Sequence, residues 1–148
     1  TGAMSPTIQR DGFVIVDEHA YDSGMISRWD MVLYRMPLEI QNYGMDPATL
    51  PPYVLRIVGK PGEIIEFDGD EIRVDGKPLQ PPSSLSSVSY TGIPHRRMSA
   101  RKYPGPPRIT LGQDEFFALG DNSKTALDSR YWGPLPRANI IGKVTRIE

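Results

Sequence analysis

The sequence predicts a mainly β fold with irregular connections, and three observations lead there. Glycine and proline, 14 and 15 in number, make up about a fifth of the 148 residues, well above a usual background of about 12%. Short runs of β-branched and aromatic residues alternate with turn-forming dipeptides. No window carries an amphipathic helix of more than a turn or two, and no internal repeat is visible. The length suits one domain with one core, and the connections are too irregular for a simple up-and-down barrel.

The elements follow in order. Phe13-Val14-Ile15-Val16, after the turn-like Asp11-Gly12, is expected as a short buried strand. Arg28 to Arg35 is a second strand entered through a polar turn. Tyr43 to Pro52 holds Gly44, Pro47 and Pro51-Pro52 and is expected as a loop, because proline suits neither a helix interior nor a central strand. Tyr53 to Val58 is the third strand, ended by Gly59-Lys60-Pro61-Gly62, where Gly62 suits a positive φ. Ile64 to Phe67 and Glu71 to Val74 flank Asp68-Gly69-Asp70 as a β-hairpin, and a second Asp75-Gly76 leads into Lys77-Pro78-Leu79. From Gln80 to Arg108 proline and serine are frequent and no period is sustained, so a long, partly ordered excursion is expected. Ile109 to Leu111, Glu115 to Leu119 and Asn139 to Val144 complete the strands.

Composition excludes several function classes. Seventeen basic and eighteen acidic residues leave a net charge of −1, without the basic excess of a nucleic-acid binder; no nucleic-acid partner is expected. The absence of cysteine removes disulfides, a thiolate nucleophile and a thiolate metal site. His19 and His95 stand far apart with no carboxylate at ligand spacing, so neither a metal nor a Ser-His-Asp triad is expected, and no cofactor is implied. No segment approaches the roughly 18 apolar residues of a membrane span, and no signal segment opens the chain. Because the first residue is Thr1, the chain is expected to be cut from a longer one, with an upstream anchor missing.

The strongest signal is Gly120-Asp121-Asn122-Ser123-Lys124-Thr125-Ala126-Leu127-Asp128-Ser129-Arg130-Tyr131-Trp132-Gly133, after an apolar strand. Taken alone it is a turn, an Asp128–Arg130 ion pair and a core tryptophan. In its order of residues, however, it resembles the last box of bacterial type I signal peptidases, the membrane-anchored serine proteases that remove signal peptides from exported proteins. The match lies at Gly120, Asp121, Asn122 and Asp128 through Gly133, and the trailing Pro136-Arg137 and Asn139-Ile140-Ile141-Gly142-Lys143-Val144 are also similar to the family. Three more boxes precede it in the family's order. Thr1 to Ile8 resembles the nucleophile box, Arg28 to Arg35 the Arg-Gly-Asp strand with Trp29 in place of glycine, and Tyr53 to Gly62 the box of the catalytic lysine. The resemblance implies a signal peptidase-like β core, assigned to residues 1–74 and 109–148, with an inserted, variable Pro/Ser-rich region at 75–108.

The family's chemistry needs a serine whose proton is taken by a neutral lysine. A lysine ordinarily titrates near about 10.4, so an apolar pocket must lower it by roughly three units, at a cost of about 4 kcal/mol. A nearby hydroxyl then orients the amine. This chain departs at all three positions: Ala3 stands at the nucleophile, Leu55 at the lysine before Arg56, and Ala126 at the orienting serine. Each change replaces a polar group by hydrocarbon, and together they avoid a buried polar group without a partner. Ala3 has a second explanation as an engineered or cloning replacement of a native serine, since Gly-Ala-Met is a common scar at a chain start; it does not account for Leu55 or Ala126. Lys60 lies in a turn, at an offset that aims it away from the Leu55 face. Lys124 is the other candidate base, and Ser5 is displaced from the nucleophile position.

By resemblance, Thr1, Met4 and Pro6 shape the groove and oxyanion region, while Arg56, Gly120, Asp121, Asn122, Asp128, Ser129 and Arg130 form the structural box. The expectation is a non-catalytic homologue that binds an extended, signal-peptide-like segment or a partner protein by strand addition, at the outer face of a bacterial cytoplasmic membrane. The rivals are an active signal peptidase seen through a substituted Ala3 and a purely structural β module. The basic cluster of His95-Arg96-Arg97 and Arg101-Lys102 is a solvated loop or a contact for anionic lipid or an acidic partner.

Overall fold

A computed structural model describes residues 2–92 and 108–148. Thr1, the His95-Arg96-Arg97 cluster and Arg101-Lys102 lie outside the described residues. The strands, in chain order, are β1 (Val14–Asp17), β2 (Met31–Tyr34), β3 (Tyr53–Gly59), β4 (Ile64–Asp68), β5 (Glu71–Val74), β6 (Lys77–Pro78), β7 (Arg108–Thr110), β8 (Glu115–Leu119), β9 (Leu135–Pro136) and β10 (Ile140–Ile147). They form a six-stranded sheet in the order β1-β10-β2-β3-β8-β9 and a four-stranded sheet in the order β6-β5-β4-β7, antiparallel throughout.

Strand β3 divides the core. Successive side chains of a strand point to opposite faces, so Leu55 and Ile57 join Val32, Ala118 and Trp132 on one side. Val58 joins Ile65, Ile72, Phe117 and Leu119 on the other. This double burial explains why Tyr53 to Val58 is apolar almost throughout, and why its one charged residue, Arg56, must find a buried partner.

The two predicted turns are present. Asp68 pairs with Glu71 across Gly69, which has φ +58°. Asp75 and Gly76, at φ +51° and +78°, have the two positive values of a type I′ hairpin turn, and they pair Val74 with Lys77. A single helical turn, α1 (Ser129–Trp132), is capped by Asp128.

Three expectations need correction. Val14 to Asp17 is a strand, but Phe13 is 75% exposed and Ile15 45%, because β1 lies at the sheet edge with β10 as its one neighbour. The proline-rich stretch is not all loop. Within it Pro47–Thr49 is a 3₁₀ turn, with proline in its first turn, where its missing N–H costs nothing, and with Asp46 accepting from the Ala48 N–H at 3.0 Å; another, Leu38–Tyr43, leads into it. The second strand starts at Met31 rather than Arg28 because Trp29 sits at φ +76°.

Candidate functional site

Three segments far apart in sequence meet at one cavity of about 590 Å³. The 3₁₀ turn Gly2–Met4 supplies Ala3, β3 supplies Leu55, and the loop after β8 supplies Asn122. The Asn122 N–H donates to the Ala3 carbonyl at 2.9 Å, and its side-chain amide donates to the Gly2 carbonyl at 3.1 Å. A Cβ placed on Gly120 would lie 2.3 Å from the Ala126 Cβ and 2.6 Å from the Ala3 carbonyl oxygen. Only glycine lets the Ala126 methyl and the Ala3 main chain both press against that backbone. Ala3 and Leu55 line the cavity, and Ala126, between the lining residues Thr125 and Leu127, packs against Gly120 beside the Ala3 main chain; all three side chains are hydrocarbon.

Leu55 and Ala126 are each 1% exposed. Neither of the two alternative lysines lines the cavity. Lys124 is exposed, and Lys60 belongs to a turn in which its N–H donates to Glu63 Oε1 at 2.5 Å. Arg28 holds the same Glu63 with two hydrogen bonds, of 3.1 and 2.5 Å. Ser5 does line the cavity.

Behind the wall lies a buried polar network. Arg56 Nε donates to Asp121 Oδ1 at 2.9 Å and Nη2 to Oδ2 at 2.7 Å, while Nη1 donates to the Trp29 carbonyl at 2.8 Å. Thr7 Oγ1 and the Tyr90 hydroxyl also donate to Asp121, at 2.5 and 2.6 Å. Burial opposes ionisation of Asp121, but the hydrogen bonds from Arg56, Thr7 and Tyr90 outweigh it and hold the carboxyl below its usual range. Burial likewise raises Tyr90, helped by the Asp121 charge, so it stays a donor.

A second pair closes the loop. Asp128, fully buried, accepts from the Gly120 N–H at 3.0 Å, the Arg130 N–H at 3.1 Å, and Arg130 Nε and Nη2 at 2.9 and 2.8 Å. Arg130 spends its remaining donors on the Thr91 carbonyl and on Ser123. Ser129 Oγ accepts from the Ala118 N–H at 3.0 Å. With every oxygen and guanidinium nitrogen engaged in structure, this pair is positioned to fix the loop rather than to move protons.

Of the groove residues expected from the N-terminal box, Met4 and Pro6 do not line the cavity. Met4 is 3% exposed and packs in the core, and Pro6 faces solvent, its carbonyl accepting from Gln9. Gly2 and Ala3 of the 3₁₀ turn, and Ser5 just after it, line the cavity in their stead. Residues not foreseen are Thr7, Tyr90, Arg10 and Tyr34; the first two tie the network, the last two line the cavity. His19 does have a carboxylate neighbour: a turn brings Asp22 Oδ2 within 2.9 Å of its Nδ1, on the open surface. Among the described residues no group of three or more His, Cys, Asp or Glu side chains is placed to hold a metal, and no helix is long and apolar enough to cross a membrane.

A mainly β body that brings an N-terminal segment, a central strand and a Gly-Asp-Asn loop to one wall is the architecture of a signal peptidase. The structure superposes on the crystal structure of a signal peptidase I from Enterococcus faecalis V583 with a TM-score of 0.55 and 22% identity, over 82% of this chain and 98% of that one; this likeness concerns the fold. The chain belongs to the family described as signal peptidase, peptidase S26, which matches residues 1–147. It is 30% identical to signal peptidase I V of Bacillus subtilis (strain 168), over 99% of this chain and 80% of that protein. It is 28% identical to a signal peptidase I of Leptolyngbya laminosa, over 95% of this chain and 62% of that protein.

Proposed function

We propose that this chain is a non-catalytic member of the signal peptidase family that holds an extended, signal-peptide-like segment, free or within a partner protein, in the cavity beside Ala3. The observation that carries the proposal is that Ala3 and Leu55 line one cavity and Ala126 packs beside it against Gly120, at the positions where the family's chemistry requires a nucleophile, a base and an orienting hydroxyl. Leu55 is the decisive residue of the three. It lies in the middle of a central strand, opposite Val32, so no event at the chain's start explains it. Without an amine, a serine hydroxyl at position 3 has no base within the wall to activate it.

The groove itself does not depend on the dyad. Its shape comes from main-chain hydrogen bonds between Asn122 and Gly2-Ala3 and from the Asp128–Arg130 pair, none of which uses the three replaced side chains. Family membership supports a site at the outer face of a bacterial cytoplasmic membrane. Titration of the isotope-labelled protein with a signal-peptide segment, followed by NMR, tests the binding half of the proposal. Shifts are expected at the amides of Ala3, Leu55 and Ala126. No shift anywhere would favour a purely structural β module.

A further inference from the structure

Two polar groups of the cavity bear most on what it could hold. Arg10 is the one charged residue among those lining it; it is exposed, and no carboxylate among the described residues pairs with it. Tyr34 is the other. It is 1% exposed, and among the described residues its hydroxyl has the Met36 sulfur, at 3.7 Å, as its one hydrogen-bond partner. A thioether is a weak acceptor, whereas buried tyrosine hydroxyls usually find a strong one. Both Tyr34 and Met36 line the cavity.

The remaining walls are largely apolar, with Met36, Met45, Leu50 and Leu127 beside Leu55. Methionine side chains adapt to varied shapes, and a volume of about 590 Å³ falls in the usual range for sites that enclose a small ligand. A single cation at the open side, no anion, apolar walls and a hydroxyl short of an acceptor complement one kind of guest. That guest has an apolar body, a carbonyl and one negative charge. An internal stretch of an apolar peptide lacks the charge, but a peptide's end has it.

Resting on the peptide-binding reading above, we infer that the cavity binds the C-terminal end of an apolar peptide. Large side chains lie among the methionines and leucines, a main-chain carbonyl accepts from Tyr34, and the terminal carboxylate pairs with Arg10. A peptide bond hydrolysed elsewhere leaves such an end, so a peptidase reaction on an apolar segment is the class of step that supplies this ligand.

Three probes test the inference by calorimetric titration: the N-acetylated pentapeptide Ala-Leu-Ala-Leu-Phe as its free acid, the same peptide as its C-terminal amide, and the free acid of penta-alanine. The free acid is expected to bind about fivefold more tightly than the amide, the most that an ion pair at a solvated rim usually supplies, and penta-alanine more weakly than either. Arg10→Ala, a change at an exposed side chain, should abolish the preference for the acid while leaving the amide's affinity unchanged. Equal binding of acid and amide, a preference that survives Arg10→Ala, or tight binding of penta-alanine would overturn the inference and leave peptide binding intact. No binding of any probe would overturn both.

Discussion

The backbone N–H of Asn122 donates to the carbonyl of Ala3 at 2.9 Å, fastening the chain's first turn to a loop more than a hundred residues away. Gly120 makes this approach possible. Gly120→Ala would drive a methyl group into the Ala126 side chain and the Ala3 carbonyl, and overpacking of this kind costs about 1–3 kcal/mol. The expected outcome is a lower urea midpoint, with faster amide exchange in residues 2–8 than elsewhere. An unchanged midpoint would mean that the N-terminal turn is not held where the structure places it.

Thr7 and Asp121 make the same connection through side chains. Because the native state holds the Asp121 carboxyl below its ordinary value of 3.8, the unfolded chain takes up a proton first as the pH falls. The pair's stabilisation is therefore complete above that ordinary value and is lost as pH falls through the lower folded value. Thr7→Val removes one donor to the buried carboxylate. It should cost about 1–3 kcal/mol near neutrality and move acid unfolding to higher pH, as followed by circular dichroism between pH 2 and 6.

Leu55→Lys puts an amine at the position that the proposed reading assigns to the family's lysine. Burial holds such an amine below the roughly 10.4 of the unfolded chain, so the neutral form is favoured in the native state. The variant should be less stable than the parent by about 2–4 kcal/mol at pH 7, and the deficit should shrink as pH rises toward 10. Urea unfolding of both proteins at pH 6, 8 and 10 measures it. A deficit independent of pH would show that the side chain escapes the cavity wall.

Trp29 keeps a backbone shape suited to the glycine it replaces. At φ +76° its N–H donates to the Ile57 carbonyl at 2.7 Å, its carbonyl accepts from Arg56, and its ring stacks on Tyr90 at 6.3 Å. The left-handed region costs a residue with a Cβ roughly 1–2 kcal/mol. Trp29→Gly should accordingly melt above Trp29→Ala, since both lose the ring and only the alanine keeps the strain. The reverse order would show that the conformation is not retained.

Local chemistry makes much of this molecule legible in its sequence. Asp75-Gly76 dictates its own turn, and the apolar run from Tyr53 to Val58 reads as a strand. The Asp128-Ser129-Arg130 order marks a loop closed by an ion pair. Less could be read where partners are distant. Tyr90 lies in a stretch with no period, so nothing nearby signals that its hydroxyl reaches Asp121. Phe13 has the composition of a core strand, but exposure at a sheet edge depends on which strands pair, not on the residue. The fate of Met4 and Pro6 turned on the twist of one short 3₁₀ turn, below the resolution of any pattern.

On the proposed reading the cavity lacks a base as well as a nucleophile. The most direct test of that reading is Ala3→Ser, assayed for cleavage of a signal-peptide substrate. Turnover no higher than that of the Ala3 protein is predicted, with activity emerging, if at all, only when Leu55→Lys and Ala126→Ser are added. Measurable cleavage by Ala3→Ser alone would contradict the account and identify the chain as an active signal peptidase that draws its base from elsewhere.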